Sequence, residues 1–324
     1  MQRLSLGDLV ELSRSCSLAE TIGGEIAHPV VVLHSGSGAC PPASFADDLG
    51  SLPCVLVAEP GSSPTLLAFV DVAPSPAELK GVLNATRNAP RAAIALALLL
   101  RGSDVRTVDE GLVAESTTYS MLQSGPEFQA WRQRTPARRR SNPTTPPLSI
   151  EREGQKLTVS LNRPEVHNAY SSAMRDALVE ALALALVDDT VEVQLRGNGP
   201  SFCSGGDLDE FGSFTDPASA HLVRLTRSAA RLLARLAPRV TARVHGACMG
   251  SGIELAAFAH RVTAHPDTLF ALPELSLGLI PGAGGTVSLP QRMGRQRTML
   301  LALRDAPIDA STALNWGLID EISD

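Results

Sequence analysis

Two glutamates stand out because each sits in a glycine-bearing segment. Glu254 belongs to Gly246-Ala247-Cys248-Met249-Gly250-Ser251-Gly252-Ile253-Glu254-Leu255. Glu274 lies in Pro273-Glu274-Leu275, which runs on into Gly278-Leu279-Ile280-Pro281-Gly282-Ala283-Gly284-Gly285-Thr286. A third segment, Ser201-Phe202-Cys203-Ser204-Gly205-Gly206-Asp207-Leu208, places paired glycines beside an acid. Were the fold to bring the two carboxylates together in a poorly solvated pocket, they would titrate apart, giving one acid and one base. Glycines let backbone N–H groups approach a ligand with no side chain in the way. A helix start adds unpaired donors and a positive dipole end, both suited to a developing oxyanion. The chemistry on offer is proton transfer beside a stabilised oxyanion. Singly, each segment also has an ordinary reading: a tight turn, a helix start, a glutamate facing water.

The elements that must position these segments alternate in type. Leu157-Thr158-Val159-Ser160-Leu161 alternates apolar and polar residues and predicts a strand. Residues 170–187, with Met174, Leu178, Leu182 and Leu184, predict a helix packed on a sheet. Val191–Leu195 predicts a second strand, ending in the turn Gly197-Asn198-Gly199-Pro200, and residues 218–236 read as helical by period. Val240–Val244 predicts a third strand, running through a Gly246–Gly252 loop into a helix. Such alternation implies parallel strands joined by right-handed crossovers, an α/β fold. Residues 135–147, rich in Pro, Arg, Ser and Thr, read as a linker. Before it, Val30–Leu33 and Val55–Val57 look like buried strands, and residues 77–100 and 108–133 look helical. The expected division is an N-terminal α/β region (1–134), the linker, and a core at 148–324.

Composition narrows the function classes. A formal charge of −6, from 34 acids and 28 bases, argues against a nucleic-acid surface. The one basic run, Arg138-Arg139-Arg140, reads as a solvated part of the linker. Five scattered cysteines (Cys16, Cys40, Cys54, Cys203, Cys248) form no CxxC pair, so neither a disulfide framework nor a zinc site is expected. No basic-then-apolar leader is present, and the longest apolar run, Ala92–Leu100, is far short of the roughly 20 residues that cross a bilayer. The expectation is a cytoplasmic, soluble protein with no membrane partner. Cys203 and Cys248 lack an adjacent base and read as packing residues, and His245 as a satisfied structural histidine.

In this order, on a βα alternation, the three segments resemble those of the crotonase (enoyl-CoA hydratase/isomerase) superfamily, over residues 148–324. Leu161-Asn162-Arg163-Pro164-Glu165-Val166-His167-Asn168-Ala169 resembles the family's first turn, which follows the CoA moiety, and Ala313–Asp320 resembles the closing segment of its core. The resemblance implies a spiral of ββα turns. It implies catalytic acids at Glu254 and Glu274 and oxyanion donors on the backbone of Gly206 and Ser251. It also implies acyl-CoA contacts at Val166, His167, Asn168, Ala169, Ser204, Gly205, Asp207, Leu208, Gly250, Pro281 and Gly282. His167 has a second reading, a solvated loop histidine. Phe211 and Phe214 are candidates for the acyl channel or for ordinary packing. No metal or separate cofactor is implied, since coenzyme A is part of the substrate. A homotrimer or dimer of trimers is implied as the assembly.

Members of the family usually continue into further helices after the core. Here residues 72–134 resemble that helical tail more loosely, in the "EGL…E" run Glu110-Gly111-Leu112 to Glu115 and the stretch Glu127–Arg132. The expectation is that this segment supplies the helices from the N-terminal side, as in a circular permutation; the alternative is a degenerate copy that packs elsewhere. Possession of both glutamates favours hydration of a 2-enoyl-CoA. Isomerisation, another enolate-forming reaction (cofactor-free oxygenation included) and a non-catalytic acyl-CoA-binding role stay open at this stage.

Overall fold

The computed structural model describes residues 2–13, 29–35, 45–138, 145–214 and 216–323. Cys16, Cys40, Arg139, Arg140 and much of the expected linker lie outside these residues.

The N-terminal part opens with β1 (Gln2–Ser5), α1 (Leu6–Ser13), β2 (Val30–His34), α2 (Phe45–Gly50) and β3 (Val55–Ala58). The strands pair in parallel in the order β1-β2-β3 over a small core of their own that includes Leu9, Leu33, Phe45 and Leu56. After α3 (Pro64–Leu67) come α4 (Leu79–Asn88), α5 (Pro90–Arg101), α6 (Val108–Gln123) and α7 (Pro126–Arg134). Pro90, with no N–H to give, separates α4 from α5 and opens the latter. Thr107 and Glu110 cap α6 reciprocally. A buried Arg101–Asp71 ion pair at 2.6 Å ties α5 to the residues following the small sheet.

The second part carries β4 (Leu148–Glu153), β5 (Lys156–Leu161), α8 (Ser172–Val187), β6 (Glu192–Gly197), α9 (Pro217–Thr226), α10 (Ala229–Leu236), β7 (Val240–Val244) and β8 (Ala247–Met249). Then follow α11 (Ser251–Ala256), β9 (Arg261–Ala264), β10 (Leu269–Ala271), a 3-10 turn at Pro273–Leu277, α12 (Gly285–Met293), α13 (Arg295–Leu303), β11 (Ile308–Asp309), α14 (Ala310–Trp316) and β12 (Glu321–Ile322). A six-stranded sheet has the order β12-β9-β7-β6-β5-β4, parallel except for the β4–β5 hairpin. A small sheet, β11-β10-β8, lies in register with successive turns of the chain, and the bridge Cys203–Cys248 extends it. Each turn therefore runs through the large sheet, then the small one, then a helix: a spiral of ββα units.

Two local expectations are corrected. Residues 218–236 form two helices, because Arg227 leaves the helical region (φ −113°, ψ 53°) and the Ser228 hydroxyl caps the second at Arg231 N. The segment 246–252 is not all loop, since 247–249 form β8.

The helices of 79–134 share one hydrophobic cluster with the second part. Leu112, Tyr119, Leu122, Phe128 and Trp131 are buried in the same cluster as Leu275, Leu279 and Leu289. Gly282 shows how close the approach is: a Cβ there would stand 2.6 Å from the Tyr119 ring. No helix among the described residues is long and apolar enough to cross a membrane.

Candidate active site

Glu254 is fixed by the start of its short helix. Gly250, at φ 47°, turns the chain from β8 into α11, its N–H donates to Ala271 O (2.9 Å), and its carbonyl accepts from Glu254 N (2.9 Å). Any side chain at 250 would run into Glu274 Oε1, so the glycine serves both the turn and the second acid. Glu274 enters on the 3-10 turn opened by Pro273, directly after β10. Glu254 and Glu274 thus arrive on successive turns of the spiral and line one cavity of about 380 Å³.

A third carboxylate shares this cavity, and it comes from the N-terminal helices. Glu115 of α6 is 2% exposed, against 1% for Glu254 and 7% for Glu274, so none of the three is hydrated like a surface acid. The loop at 283–286 connects two of them. Ala283 N–H (2.7 Å) and Gly285 N–H (2.9 Å) both donate to Glu254 Oε2. Gly284 N–H donates to Glu115 Oε1 (2.7 Å), and Thr286 donates to Glu115 Oε2 through N–H (2.9 Å) and hydroxyl (2.7 Å). Glu274 Oε2, by contrast, is buried with no hydrogen-bond partner.

Burial raises all three acids. Glu254 is pushed well above the ordinary carboxylate range by desolvation first, then by the charges of Glu274 and Glu115, with the Ala283 and Gly285 N–H groups opposing. Desolvation lifts Glu274 to about 7, against the pull of its own backbone N–H, and the charge of Glu115 adds to the rise. Desolvation likewise lifts Glu115 to about 7, against the pull of Thr286, Gly284 and Arg224. At neutral pH such a cluster holds protons and carboxylates together, as acid–base chemistry requires.

The backbone donors expected at Gly206 and Ser251 come together at this cavity. A Cβ on Gly206 would lie 3.8 Å from Ser251 Oγ. At the Tyr170–Gly206 bridge, Tyr170 N–H donates to Gly205 O (2.8 Å) and Asp207 N–H to Tyr170 O (3.0 Å), which leaves the Gly206 N–H outside the pairing. Ser251 opens α11, where an N–H has no acceptor within the helix.

The remaining expected contacts divide. Asp207 and Gly282 line the cavity, as do Phe211 and Phe214, the latter half exposed. Asp207 is buried in an ion pair with Arg163 (2.9 Å), whose guanidinium also donates to Ala169 O (2.7 Å). Asn168 is buried and left-handed (φ 54°), and its amide donates to Asn198 O (2.9 Å) and Ser201 O (2.8 Å). His167 lies within 3.0 Å of Ser201 Oγ, and its carbonyl accepts from Ser204 N (2.9 Å). Val166, Ser204, Gly205 and Gly250 belong to the same turns, while exposed Leu208 accepts from Arg132 of α7 through its carbonyl (3.0 Å). Pro281 lies against Gly285, where a Cβ would stand 2.9 Å from it. Burial pushes the Cys203 thiol to about 12 and also raises Cys248, so both stay protonated packing residues. His245 Nε2 is satisfied by Gly199 O at 2.9 Å.

Sequence reasoning missed Glu115, Tyr119 and Arg224 as cavity residues. A signal existed: Glu115 interrupts the buried stripe Leu112, Tyr119, Leu122 of α6, where an apolar residue is expected.

A sequence model of the Enoyl-CoA hydratase/isomerase family matches residues 151–323. The chain belongs to this family. Its family members include the 2,3-dehydroadipyl-CoA hydratase of Escherichia coli (strain K12), 34% identical over 176 residues, 54% of this chain and 68% of that protein. The 1,2-epoxyphenylacetyl-CoA isomerase of the same strain is 36% identical over 173 residues, covering 52% and 66%. Among solved structures, an enoyl-CoA hydratase from Thermoplasma volcanium GSS1 aligns with a TM-score of 0.50 at 35% identity, over 56% of this chain and 73% of that one. An enoyl-CoA hydratase from Mycobacterium smegmatis aligns with a TM-score of 0.51 at 30% identity, over 55% and 70%. The fold is the crotonase fold, and the chain spans about two thirds of the length of the curated relatives it matches.

Proposed function

We propose that the protein adds water across the 2,3 double bond of an enoyl-CoA thioester. The observation that carries this reading is the unequal hydrogen bonding of two neighbouring acids. Glu254 Oε2 accepts two backbone N–H bonds, whereas Glu274 Oε2 accepts none. Although burial lifts Glu254 strongly, each N–H donor favours its ionised form. A buried carboxyl oxygen with no donor favours the neutral acid. In this reading Glu254 takes a proton from water as the oxygen bonds to the β-carbon, and Glu274 gives its proton to the α-carbon. The electron pair passes through an enolate whose oxygen is held by the N–H groups of Gly206 and Ser251. The net change is one water added, OH at the β-carbon and H at the α-carbon. The proton then returns from Glu254 to Glu274 by exchange with solvent.

In the same reading residues 72–134 stand in for the helices that follow the core in other family members. The contacts of Glu115 and Tyr119 with the 282–286 loop support this. A homotrimer or dimer of trimers is the assembly proposed, which sedimentation would test. Isomerisation of the double bond is the second reading, favoured by 32% identity over 173 residues to an enoyl-CoA isomerase/hydratase of Mycosarcoma maydis and needing only the proton transfer at Glu274. Loss of enoyl-thioester absorbance with crotonyl-CoA separates the two. Turnover in the wild type that is lost in Glu254→Gln and Glu274→Gln supports hydration. CoA-ester binding without any hydration, together with interconversion of 3-enoyl and 2-enoyl esters, overturns it.

A further inference from the structure

Three arginines line the cavity: Arg175, Arg224 and Arg227. Two are neutralised by their neighbours. Arg175 pairs with Asp176 at 2.8 Å, and Arg227 pairs with Asp176 and Glu180 at 3.2 Å each. Arg224, on α9, has no carboxylate within ion-pairing distance among the described residues. It donates only to neutral groups, from Nε to Ser116 Oγ (3.1 Å) and from Nη2 to Ser116 O (3.4 Å) and Ser120 Oγ. Its guanidinium carbon lies 4.8 Å from the centroid of the Tyr119 ring. Nη1, with two protons to give, meets no acceptor among the described residues.

A tether between α6 and α9 does not explain this arrangement. Ser120 Oγ already donates to Pro217 O (2.9 Å), and Ser116 Oγ already meets His221 Nδ1 (2.8 Å). A full charge in a partly desolvated wall is costly unless something pairs with it. Burial lowers the pKa of Arg224, against the charges of Tyr119 and Glu115. Tyr119 links the arginine to the reaction centre, since its ring lies against Gly282 in the loop that holds Glu254.

Resting on the acyl-CoA reading above, we propose that Arg224 is the subsite for an anionic end of the acyl group. The substrate class is then an ω-carboxyacyl thioester of CoA rather than a plain hydrocarbon chain. The two Nη1 protons left over suit a carboxylate, and the Tyr119 ring covers one face of the guanidinium.

Calorimetric titration of the full chain with saturated esters tests this without turnover. The probes are ω-carboxyacyl-CoAs with four, five and six acyl carbons, unsubstituted acyl-CoAs of the same lengths, and free CoA. At one length or more, the carboxylated ester should bind wild type roughly tenfold tighter than its plain counterpart. In Arg224→Met that ratio should collapse toward one, while Arg224→Lys should retain part of it. Should Arg224→Met fail to fold, Arg224→Gln is read in the same way. No preference at any length in the wild type overturns the proposal, as does a preference that survives in Arg224→Met. A loss of free-CoA binding in the variant as large as the loss for the carboxylated ester places the arginine at the nucleotide, and also overturns it. Ester binding without hydration would sink the hydratase reading alone. Hydration without a carboxylate preference would sink this subsite alone.

Discussion

Glu115 and Glu254 grip the same loop by alternate residues: Gly284 and Thr286 donate to the first, Ala283 and Gly285 to the second. Gly284 is left-handed (φ 102°, ψ 6°) and Gly285 opens α12, so the turn into the helix offers its unpaired N–H groups to a carboxylate on either flank. The flanks come from distant parts of the chain, α6 on one side and α11 on the other. Glu115 thereby acts on Glu254 through a shared loop as well as through its charge. Replacing it with glutamine removes the charge that raises both Glu254 and Glu274. Both limbs of the pH–rate profile should then move to lower pH. Glu115→Ala leaves the Gly284 and Thr286 donors unpaired in a buried loop and should cost about 2–3 kcal/mol of stability, read from urea unfolding. An unchanged pH profile in Glu115→Gln would remove Glu115 from the acid–base system.

Glu274 gives stability a pH dependence opposite to that of a salt-bridged acid. Its pKa rises from an ordinary 4.5 to about 7 in the folded protein. Between those values the native state binds more protons than the unfolded chain, so stability falls as pH rises. The penalty is absent below about pH 4.5, grows across the interval and is complete above about pH 7, reaching roughly 3 kcal/mol. Glu274→Gln carries no such titration. The variant should therefore melt higher than wild type at pH 8 and close to it at pH 4.5, while its hydration rate drops by roughly 10²–10⁴-fold. Equal melting temperatures at pH 8 would mean that Glu274 is not ionising in a desolvated site.

The large sheet was legible because its signal is local, and the two acids because their glycine segments stand in the order that resembles the family's. Leu157–Leu161 and Val240–Val244 alternate cleanly, and each glutamate stands beside its glycines. The small sheet was not, because strands of three residues such as Ala247–Met249 are too short to show a period. The break at Arg227-Ser228 was hidden because Leu222, Leu225, Leu232 and Leu233 keep a helical spacing across it. In the sequence Glu115 shows only as part of a helix resembling the family's tail. Its role depends on a loop about 170 residues further along, a contact no local pattern encodes.

Gly250 offers a test of geometry with the charges left in place. Its φ of 47° disfavours any L side chain, and an alanine methyl would overlap Glu274 Oε1. Gly250→Ala should displace Glu274, lower kcat by at least about tenfold and destabilise the fold by roughly 1–3 kcal/mol. Stopped-flow hydration and thermal melting read the two effects separately. A variant of wild-type kcat would show that Glu274 need not occupy its observed position.

The helices before the linker make a prediction about what can fold alone. Leu112, Tyr119, Leu122, Phe128 and Trp131 fill the cluster that also contains Leu275, Leu279 and Leu289. Without them the 282–286 loop loses the Tyr119 ring and the three bonds from Glu115. Fully burying each large side chain is worth about 1.5–3 kcal/mol, so losing these five together costs about 7.5–15 kcal/mol, as much as the 5–15 kcal/mol stability of an ordinary domain. A chain starting at residue 145 should therefore show no cooperative unfolding transition and should bind dyes that seek exposed apolar surface. Coexpression with a separate 72–138 fragment should restore both the transition and hydration, because the interface is hydrophobic and the loop donors regain their acceptor. A truncated chain that melts cooperatively and hydrates crotonyl-CoA on its own would show that the N-terminal helices are an addition to the site and not a part of it.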